Sequence, residues 1–137
     1  MKPILILGGR YQDKRGVLKY NNNFDVTSVK RKYIIENIDT FFVKGWQGHK
    51  IEQRWFTAVT GEFKIALIKI DDWKNPSKAL EKITFKISNK RADVLYVPQG
   101  YISSVQAITE ASKLLVLADY RINEIQDEYR FSSDYFV

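Results

Sequence analysis

Cysteine is absent from this chain of 137 residues, and histidine and methionine occur once each. Without cysteine the chain has neither a disulfide framework nor a thiolate site, so nothing in it favours secretion or redox chemistry, and we expect a cytoplasmic protein. Long apolar runs are absent as well. The run at 4–7 is too short for a signal peptide or a membrane span, and we therefore expect no membrane partner.

Acidic residues are the minority among the charged ones. The chain holds 22 Lys and Arg against 16 Asp and Glu, a net charge of +6, which suits nucleic acid, an anionic surface or a phosphorylated small molecule. The sign of the charge does not choose among these partners. We predict no nucleic-acid partner, because a moderate +6 hardly demands the steep salt dependence of such binding.

The length suits one domain. At 137 residues and 45% hydrophobic composition, the chain is long enough to bury a sizeable core and too short for two ordinary domains. No repeat, linker or low-complexity segment interrupts it. We therefore predict a single domain over residues 1–137.

Short runs of β-branched and aromatic residues, separated by Gly, Asn, Asp or Pro, predict strands. The ten predicted strands lie at 4–7, 16–20, 29–35, 40–44, 53–60, 63–70, 83–87, 93–97, 103–107 and 112–118. This density favours an all-β antiparallel sandwich or barrel over alternating βαβ units. The segment 75–82 is predicted as a short helical turn, because Asn75 is a suitable cap and Pro76 is allowed in a first turn.

The single histidine lies in the segment Lys-Gly-Trp-Gln-Gly-His-Lys at 44–50. An imidazole with a pKa of about 6.5 accepts and returns a proton near neutrality, so His49 is the best candidate for a general base. On a strand, Gln47 and His49 share one face, which in a barrel is either core or cavity. The alternative interpretation is that His49 is a hydrogen-bonded interior imidazole and Trp46 a packed aromatic residue.

A metal centre is not predicted. Small barrels that bind a divalent ion supply several imidazoles and a carboxylate, whereas the corresponding positions here are Gln47, His49, Gln53 and Ser103. One imidazole, two amides and a hydroxyl are poor ligands for zinc or iron, which favour several imidazole, thiolate or carboxylate donors. We therefore expect neither a metal nor another cofactor.

Several segments, taken in order, resemble one known family. They are Arg-Gly-Val-Leu at 15–18, Lys-Arg-Lys-Tyr at 30–33, the imperfect match at 44–50 with Gln53 after it, Leu-Leu-Val-Leu-Ala at 114–118, Tyr120, and Asp-Glu-Tyr-Arg at 127–130. They are similar to segments of the cupins that act as dTDP-4-oxo-6-deoxyglucose 3,4-ketoisomerases. These cupins are also described as WxcM-like C-terminal domains and are related to the dTDP-4-dehydrorhamnose 3,5-epimerases. The likeness spans nearly the whole chain and implies a double-stranded β-helix, the jelly-roll barrel of cupins.

The resemblance also implies a function: a metal-independent ketoisomerase or epimerase of nucleotide sugars in polysaccharide or deoxysugar biosynthesis. His49 would remove a proton beside the ketone of a dTDP-linked hexose, and the resulting enediol would be reprotonated on the neighbouring carbon. Tyr33 would be the acid or a hydrogen-bond partner. The residues that would bind the sugar, the base, the diphosphate or a developing enolate are Arg15, Arg31, Lys44, Trp46, Gln47, Lys50 and Gln53.

Two positions depart from the family pattern. Gln47 stands where the family carries the first of two histidines, and Lys44 where it carries arginine. Glutamine cannot act as a general base, and lysine lacks the bidentate fork that arginine offers a phosphate. Three interpretations stay open: His49 works alone or with Tyr33, another acid such as Glu52 helps, or the barrel is a non-catalytic cupin that binds a nucleotide sugar or glycan.

The stretch 119–137 combines Tyr and Phe with acidic residues and is too aromatic to be disordered. We expect it to pack on the barrel or on a partner subunit. Exposed strand edges, this aromatic tail and the family resemblance together predict a homodimer.

Overall fold

The computed structural model describes residues 1–137 and contains twelve strands and no helix. The strands are β1 (Ile4–Ile6), β2 (Gly9–Asp13), β3 (Gly16–Tyr20), β4 (Arg31–Ile35), β5 (Val43–His49), β6 (Arg54–Thr60), β7 (Glu62–Lys69), β8 (Ile83–Ser88), β9 (Val94–Val97), β10 (Tyr101–Ala107), β11 (Lys113–Ala118) and β12 (Tyr129–Arg130). Each predicted strand overlaps an observed one, so the all-β prediction is confirmed. Only β2 and β12 were not predicted. None of the elements is a helix that could cross a membrane.

The strands form two five-stranded antiparallel sheets and a separate hairpin. The first sheet has the order β1-β9-β6-β11-β4, the second has the order β12-β5-β10-β7-β8, and β2 pairs only with β3. Neighbours within a sheet are mostly distant in sequence, as β5 with β10 and β6 with β9 and β11. The chain therefore crosses repeatedly from one sheet to the other.

The main core lies between the two sheets. Its buried side chains come from alternate positions of strands in both sheets, as expected when one face of each strand points inward. They are Phe56, Ala58, Phe63, Ile65, Leu67, Ile87, Leu95, Val97, Tyr101, Val105, Ala107, Leu114 and Val116. On β6 the inward series begins with the charged Arg54 and continues with Phe56 and Ala58. The apolar core therefore gives way to polar side chains at the start of β6.

The C-terminal tail covers the outer face of the second sheet. Phe136 is buried in a cluster with Trp46, Ile68 and Ile102, and Tyr135 packs against the same cluster. Of the two predicted positions of the aromatic tail, on the barrel or on a partner subunit, the structure shows the first.

The segment 75–82 is not helical, so the predicted helical turn is wrong. The Tyr135 hydroxyl donates to the Pro76 carbonyl at 2.6 Å, and the Val137 N–H donates to the Lys78 carbonyl at 2.8 Å. In a helix these two carbonyls would accept hydrogen bonds from the helix itself. Here they accept hydrogen bonds from the tail, and local sequence does not reveal such a tertiary contact.

The β2–β3 hairpin lies apart from both sheets. Tyr11 and Leu18 are directly opposed across it, and both side chains are exposed. Every residue of β3 is exposed in this chain.

Candidate active site

A cavity of about 1090 Å³ is formed where β4, β5 and β6 meet the segment 121–130 of the C-terminal tail. Five of the nine predicted site residues line it: Arg31, Tyr33, Lys44, Gln47 and His49. Both residues predicted to transfer protons are among them. The sequence therefore identified β4 and β5, the strands that form two sides of the cavity.

A bulge in β5 brings Lys44 to the same face as Gln47 and His49. Gln47 pairs with Ser103 and Lys44 pairs with Val105, so that one residue of β10 opposes two residues of β5. The extra residue breaks the simple alternation of the strand, which would otherwise turn Lys44 away from His49. All three side chains consequently line the cavity.

His49 is buried, and its two ring nitrogens have different surroundings. Nδ1 lies 2.8 Å from the backbone carbonyl of Asp127, which can only accept a hydrogen bond, so Nδ1 carries the proton. Nε2 has no hydrogen-bond partner. In this tautomer Nε2 keeps its lone pair without a hydrogen-bond donor, as a general base requires.

The surroundings of His49 keep the imidazole neutral. Burial is the main cause that lowers its pKa to about 4, and the positive charge of Arg54 lowers it further. The Asp127 carbonyl and the carboxylates of Asp127 and Glu128 act in the opposite direction without cancelling these effects. The ring is therefore deprotonated on Nε2 at neutral pH.

Glu52 and Arg54 connect His49 to Tyr33. The Glu52 Oε2 lies 3.5 Å from His49 Nε2 and accepts hydrogen bonds from Arg54, whose Nε is 2.8 Å and Nη2 2.7 Å away. The Arg54 Nη1 donates to the Tyr33 hydroxyl. Glu52 was named as a helper from the sequence alone, whereas Arg54 was missed. Arg54 comes two residues after Glu52 and begins a strand whose alternate side chains face the barrel interior. This position is the signal that could have identified Arg54.

Tyr33 keeps its phenolic proton at neutral pH. Burial raises the pKa of Tyr33, and the positive charges of Arg54 and Arg31 only partly offset this effect. The Arg31 guanidinium lies 4.7 Å from the centre of the tyrosine ring. Tyr33 thus lines the cavity with its phenolic proton in place.

Gln47 is held by the tail. Its side-chain amide donates to the carboxylate of Glu128, which also accepts a hydrogen bond from Arg130 Nη2 at 2.9 Å. The hydrogen bond from Arg130 holds the pKa of Glu128 below its usual range. The position that holds a histidine in the family pattern is therefore occupied by an amide bound to a carboxylate.

Asp127 fixes the turn between β5 and β6. Its carboxylate accepts backbone hydrogen bonds from Lys50 at 3.0 Å, Ile51 at 2.8 Å and Glu52 at 2.8 Å. Since its carbonyl also binds His49, one residue of the tail positions both the imidazole and the carboxylate beside it. The sequence placed Asp127 in a family segment but gave it no role.

Two of the predicted substrate-binding residues lie outside the cavity of this chain, and their roles in binding stay predictions. Trp46 lies on the opposite face of β5 from Gln47, because adjacent side chains of a strand point to opposite faces. There it is buried against Phe136. Arg15 is at the turn of the β2–β3 hairpin, where it is exposed and pairs with Asp13 at 2.6 Å. Neither side chain lines the cavity of this chain.

Gln53 and Lys50 also lie outside the cavity. The backbone and side-chain N–H groups of Gln53 donate to Asp119 at 2.8 and 3.0 Å, and its side-chain oxygen accepts from Tyr96. The hydrogen bonds of Gln53 are thus used within the protein. Lys50 is exposed on the turn that Asp127 holds. The predicted roles of both residues in binding stay predictions.

The sequence model of the family FdtA, WxcM-like, C-terminal, matches residues 4–136. No curated protein matches the chain by sequence. Among solved structures, the sugar 3,4-ketoisomerase QdtA from Thermoanaerobacterium thermosaccharolyticum, in complex with TDP, is 25% identical, with a TM-score of 0.73 over 98% of this chain and 91% of that chain. A mutant of QdtA has been solved in complex with TDP-4-keto-6-deoxyglucose.

More distant structures share the fold. A 3,4-ketoisomerase from Helicobacter canadensis is 19% identical, with a TM-score of 0.73 over 98% of this chain and 95% of that chain. The rmlC epimerase from Mycobacterium tuberculosis is 14% identical, with a TM-score of 0.75 over 96% of this chain and 69% of that chain. The predicted double-stranded β-helix of the cupin and jelly-roll class is therefore confirmed.

Proposed function

The chain belongs to the family FdtA, WxcM-like, C-terminal, and from that premise we propose that it is a nucleotide-sugar isomerase acting on a dTDP-4-oxo-6-deoxyhexose. Moving the ketone from C4 to C3 is the reaction favoured. The observation that carries the proposal is the buried imidazole of His49, whose unpartnered Nε2 shares a cavity with the protonated Tyr33. The solved relative QdtA, named as a sugar 3,4-ketoisomerase, supports this reaction.

The first half of the reaction makes an enediol. His49 Nε2 takes the proton from C3, the electron pair of that C–H bond forms the C3=C4 double bond, and the carbonyl oxygen on C4 takes the phenolic proton of Tyr33. In the second half the phenolate of Tyr33 recovers a proton from the C3 hydroxyl. The C3 ketone forms, and the double-bond pair takes the proton of His49 at C4. Both side chains end in their starting states.

Unpaired cations at the cavity support a diphosphate ligand. Arg54 and Arg130 are paired with carboxylates, whereas no ion pair engages Arg31, Lys44 or Arg121. These three residues lie on different elements around one cavity and suit a ligand with two linked phosphates. We assign them to binding of the dTDP moiety, with Gln47 contacting the sugar.

The proposal is tested by proton NMR of the protein with dTDP-4-oxo-6-deoxyglucose in deuterated buffer. We expect loss of the C3 proton signal and appearance of a 3-oxo product. His49→Asn is expected to lower the rate at least about 100-fold, since it removes the general base, while calorimetry shows unchanged dTDP binding.

Other outcomes of this experiment would contradict the proposal in distinct ways. Exchange at C5 without a 3-oxo product would indicate an epimerase. Saturable dTDP binding without any exchange would indicate a non-catalytic cupin. Gln47, which stands where the family pattern has a histidine, favours that function. No binding of dTDP would indicate a different ligand class.

We further propose that the protein acts as a homodimer in the cytoplasm, in polysaccharide or deoxysugar biosynthesis. The exposed apolar side chains of the β2–β3 hairpin support self-association, since Tyr11 and Leu18 form an apolar pair with no cover in a single chain. Arg15 lies at the end of the same hairpin, so a role for it in the site would require a second subunit. That no cofactor takes part stays a prediction.

A further inference from the structure

We propose that Glu52 and Arg54 are positioning residues that couple the base His49 to the acid Tyr33, so that the two proton transfers occur at the ends of one chain of contacts. The proposal rests on the proposed function, because it concerns the same two protons. The coupling explains how a site with a single imidazole carries out both proton transfers. Neither Glu52 nor Arg54 exchanges a proton with the substrate; Glu52 acts through His49, and Arg54 acts through Tyr33.

The contacts are continuous from one end to the other. His49 Nε2 is 3.5 Å from Glu52 Oε2, the same oxygen accepts two N–H groups of Arg54, and the third nitrogen of that guanidinium donates to the Tyr33 hydroxyl. The side chains of His49, Glu52 and Arg54 are only 10%, 7% and 13% exposed. Solvent therefore screens their charges weakly.

The signs of charge alternate along the four side chains once both protons have moved. Before the reaction, neutral Tyr33 and neutral His49 flank the guanidinium and the carboxylate. After His49 takes a proton and Tyr33 gives one, the order is phenolate, guanidinium, carboxylate and imidazolium. Each new charge then lies beside an opposite one, and the net charge of the four groups stays zero. A buried site tolerates such a redistribution far better than a newly isolated charge.

The other polar side chains of β5 and the tail that surround His49 are engaged elsewhere. Gln47 has no proton to exchange at physiological pH. Glu128 is bound by both Gln47 and Arg130, and Asp127 uses its carboxylate on three backbone N–H groups. Glu52 is thus the carboxylate that lies within 3.5 Å of the free Nε2.

The coupling is measurable without substrate, because the chain has one histidine and its imidazole signals need no assignment. The charged groups that face His49 are Arg54, Glu52, Asp127 and Glu128, and those that face Tyr33 are Arg54, Arg31, Glu52 and Glu128. NMR titration would follow the pKa of His49, and carbon-labelled tyrosine would follow that of Tyr33, with Tyr33→Phe identifying its signal.

Arg54→Gln should raise the pKa of both His49 and Tyr33 by about one unit or more, because one positive charge adjacent to both is lost. The matched control is Arg31→Gln, which should raise only the pKa of Tyr33. Arg54→Lys keeps the charge and should leave both pKa values within about 0.5 unit. The proposal is overturned if Arg54→Gln leaves either pKa unchanged, or if Arg31→Gln shifts both equally. Should Arg54→Gln fail to fold, Glu52→Gln tests the same link by lowering the pKa of His49.

Kinetics supply the second test. Glu52→Gln removes the charge opposite the imidazolium, so kcat should fall about 100-fold while KM changes less than about threefold. Glu52→Asp should recover part of kcat, because it keeps the charge. An unchanged kcat in Glu52→Gln would overturn the proposal. If the wild-type protein isomerises no sugar, the proposed function fails, whereas the substrate-free titrations still decide whether the four groups are coupled.

Discussion

At the scale of single residues, the site depends on an asymmetry within one imidazole ring. The Asp127 carbonyl holds the proton of His49 on Nδ1, and Nε2 is left free in a buried place. A neutral histidine with a pKa of about 4 is available as a base throughout the physiological range. The same burial that makes the ring useful makes its protonation unfavourable.

The pH dependence of turnover should reflect that low pKa. Because His49 is already deprotonated well above pH 4, we expect kcat/KM of the proposed isomerase to be independent of pH between about 5.5 and 8. Initial rates measured across this range would check it. A loss of activity centred near pH 6.5 would mean that the base titrates as an exposed histidine does.

Folding stability should also report on His49. The folded-state pKa lies below the unfolded value, so the unfolded chain binds a proton that the folded chain does not, and stability falls as pH decreases from about 6.5 to about 4. Urea unfolding should show wild-type protein losing about 1.5 kcal/mol between pH 6.5 and 5 relative to His49→Gln. Parallel pH dependence of the two proteins in this window would contradict a buried neutral ring.

At the scale of elements, the sequence predicted strands well and their local irregularities poorly. Alternation of side chains correctly gave Arg31 and Tyr33 one face of β4, and Gln47 and His49 one face of β5. It could not give the extra residue in β5, because a bulge depends on the partner strand β10 rather than on local composition. The tail's contribution to the cavity was missed for a similar reason, since contacts that span about 75 residues leave no periodic signal.

Asp127 should be the residue through which the tail stabilises the β5–β6 turn. Asp127→Ala leaves three backbone N–H groups without their acceptor and should lower the free energy of unfolding by about 3 kcal/mol or more. Asp134→Ala is the matched control, because that aspartate is exposed and should change stability by less than about 0.5 kcal/mol. Chemical denaturation would measure both, and equal effects would show that the tail does not hold the turn.

At the scale of the whole molecule, a net charge of +6 is divided between a solvated surface and a cavity with three unpaired cations. The composition alone left nucleic acid, a membrane surface and a phosphorylated small molecule open. The fold favours the last of these, since Arg31, Lys44 and Arg121 line one open cavity. The one-domain prediction and the homodimer stay predictions.

The homodimer should depend on the β2–β3 hairpin. Light scattering coupled to size exclusion should give twice the monomer mass of 16.0 kDa. Replacing both Tyr11 and Leu18 with Lys should shift the protein towards the monomer, because it places charge in an apolar contact. Ile108→Lys, an exposed position outside the hairpin, should leave the mass unchanged. A monomeric wild-type protein would contradict the prediction.

The bulge in β5 has a consequence for how this barrel tolerates changes in chain length. Gly45 and Trp46 together oppose Ser104, and Gly45 lies so close to Ser104 that a Cβ there would be 2.6 Å from the serine Cβ. The strand thus carries one spare residue at a point where only glycine fits. A deletion of Gly45 would restore regular pairing and leave Lys44 and His49 facing inward. Along β5, this is a position where we expect the loss of a codon to leave every side chain on its present face.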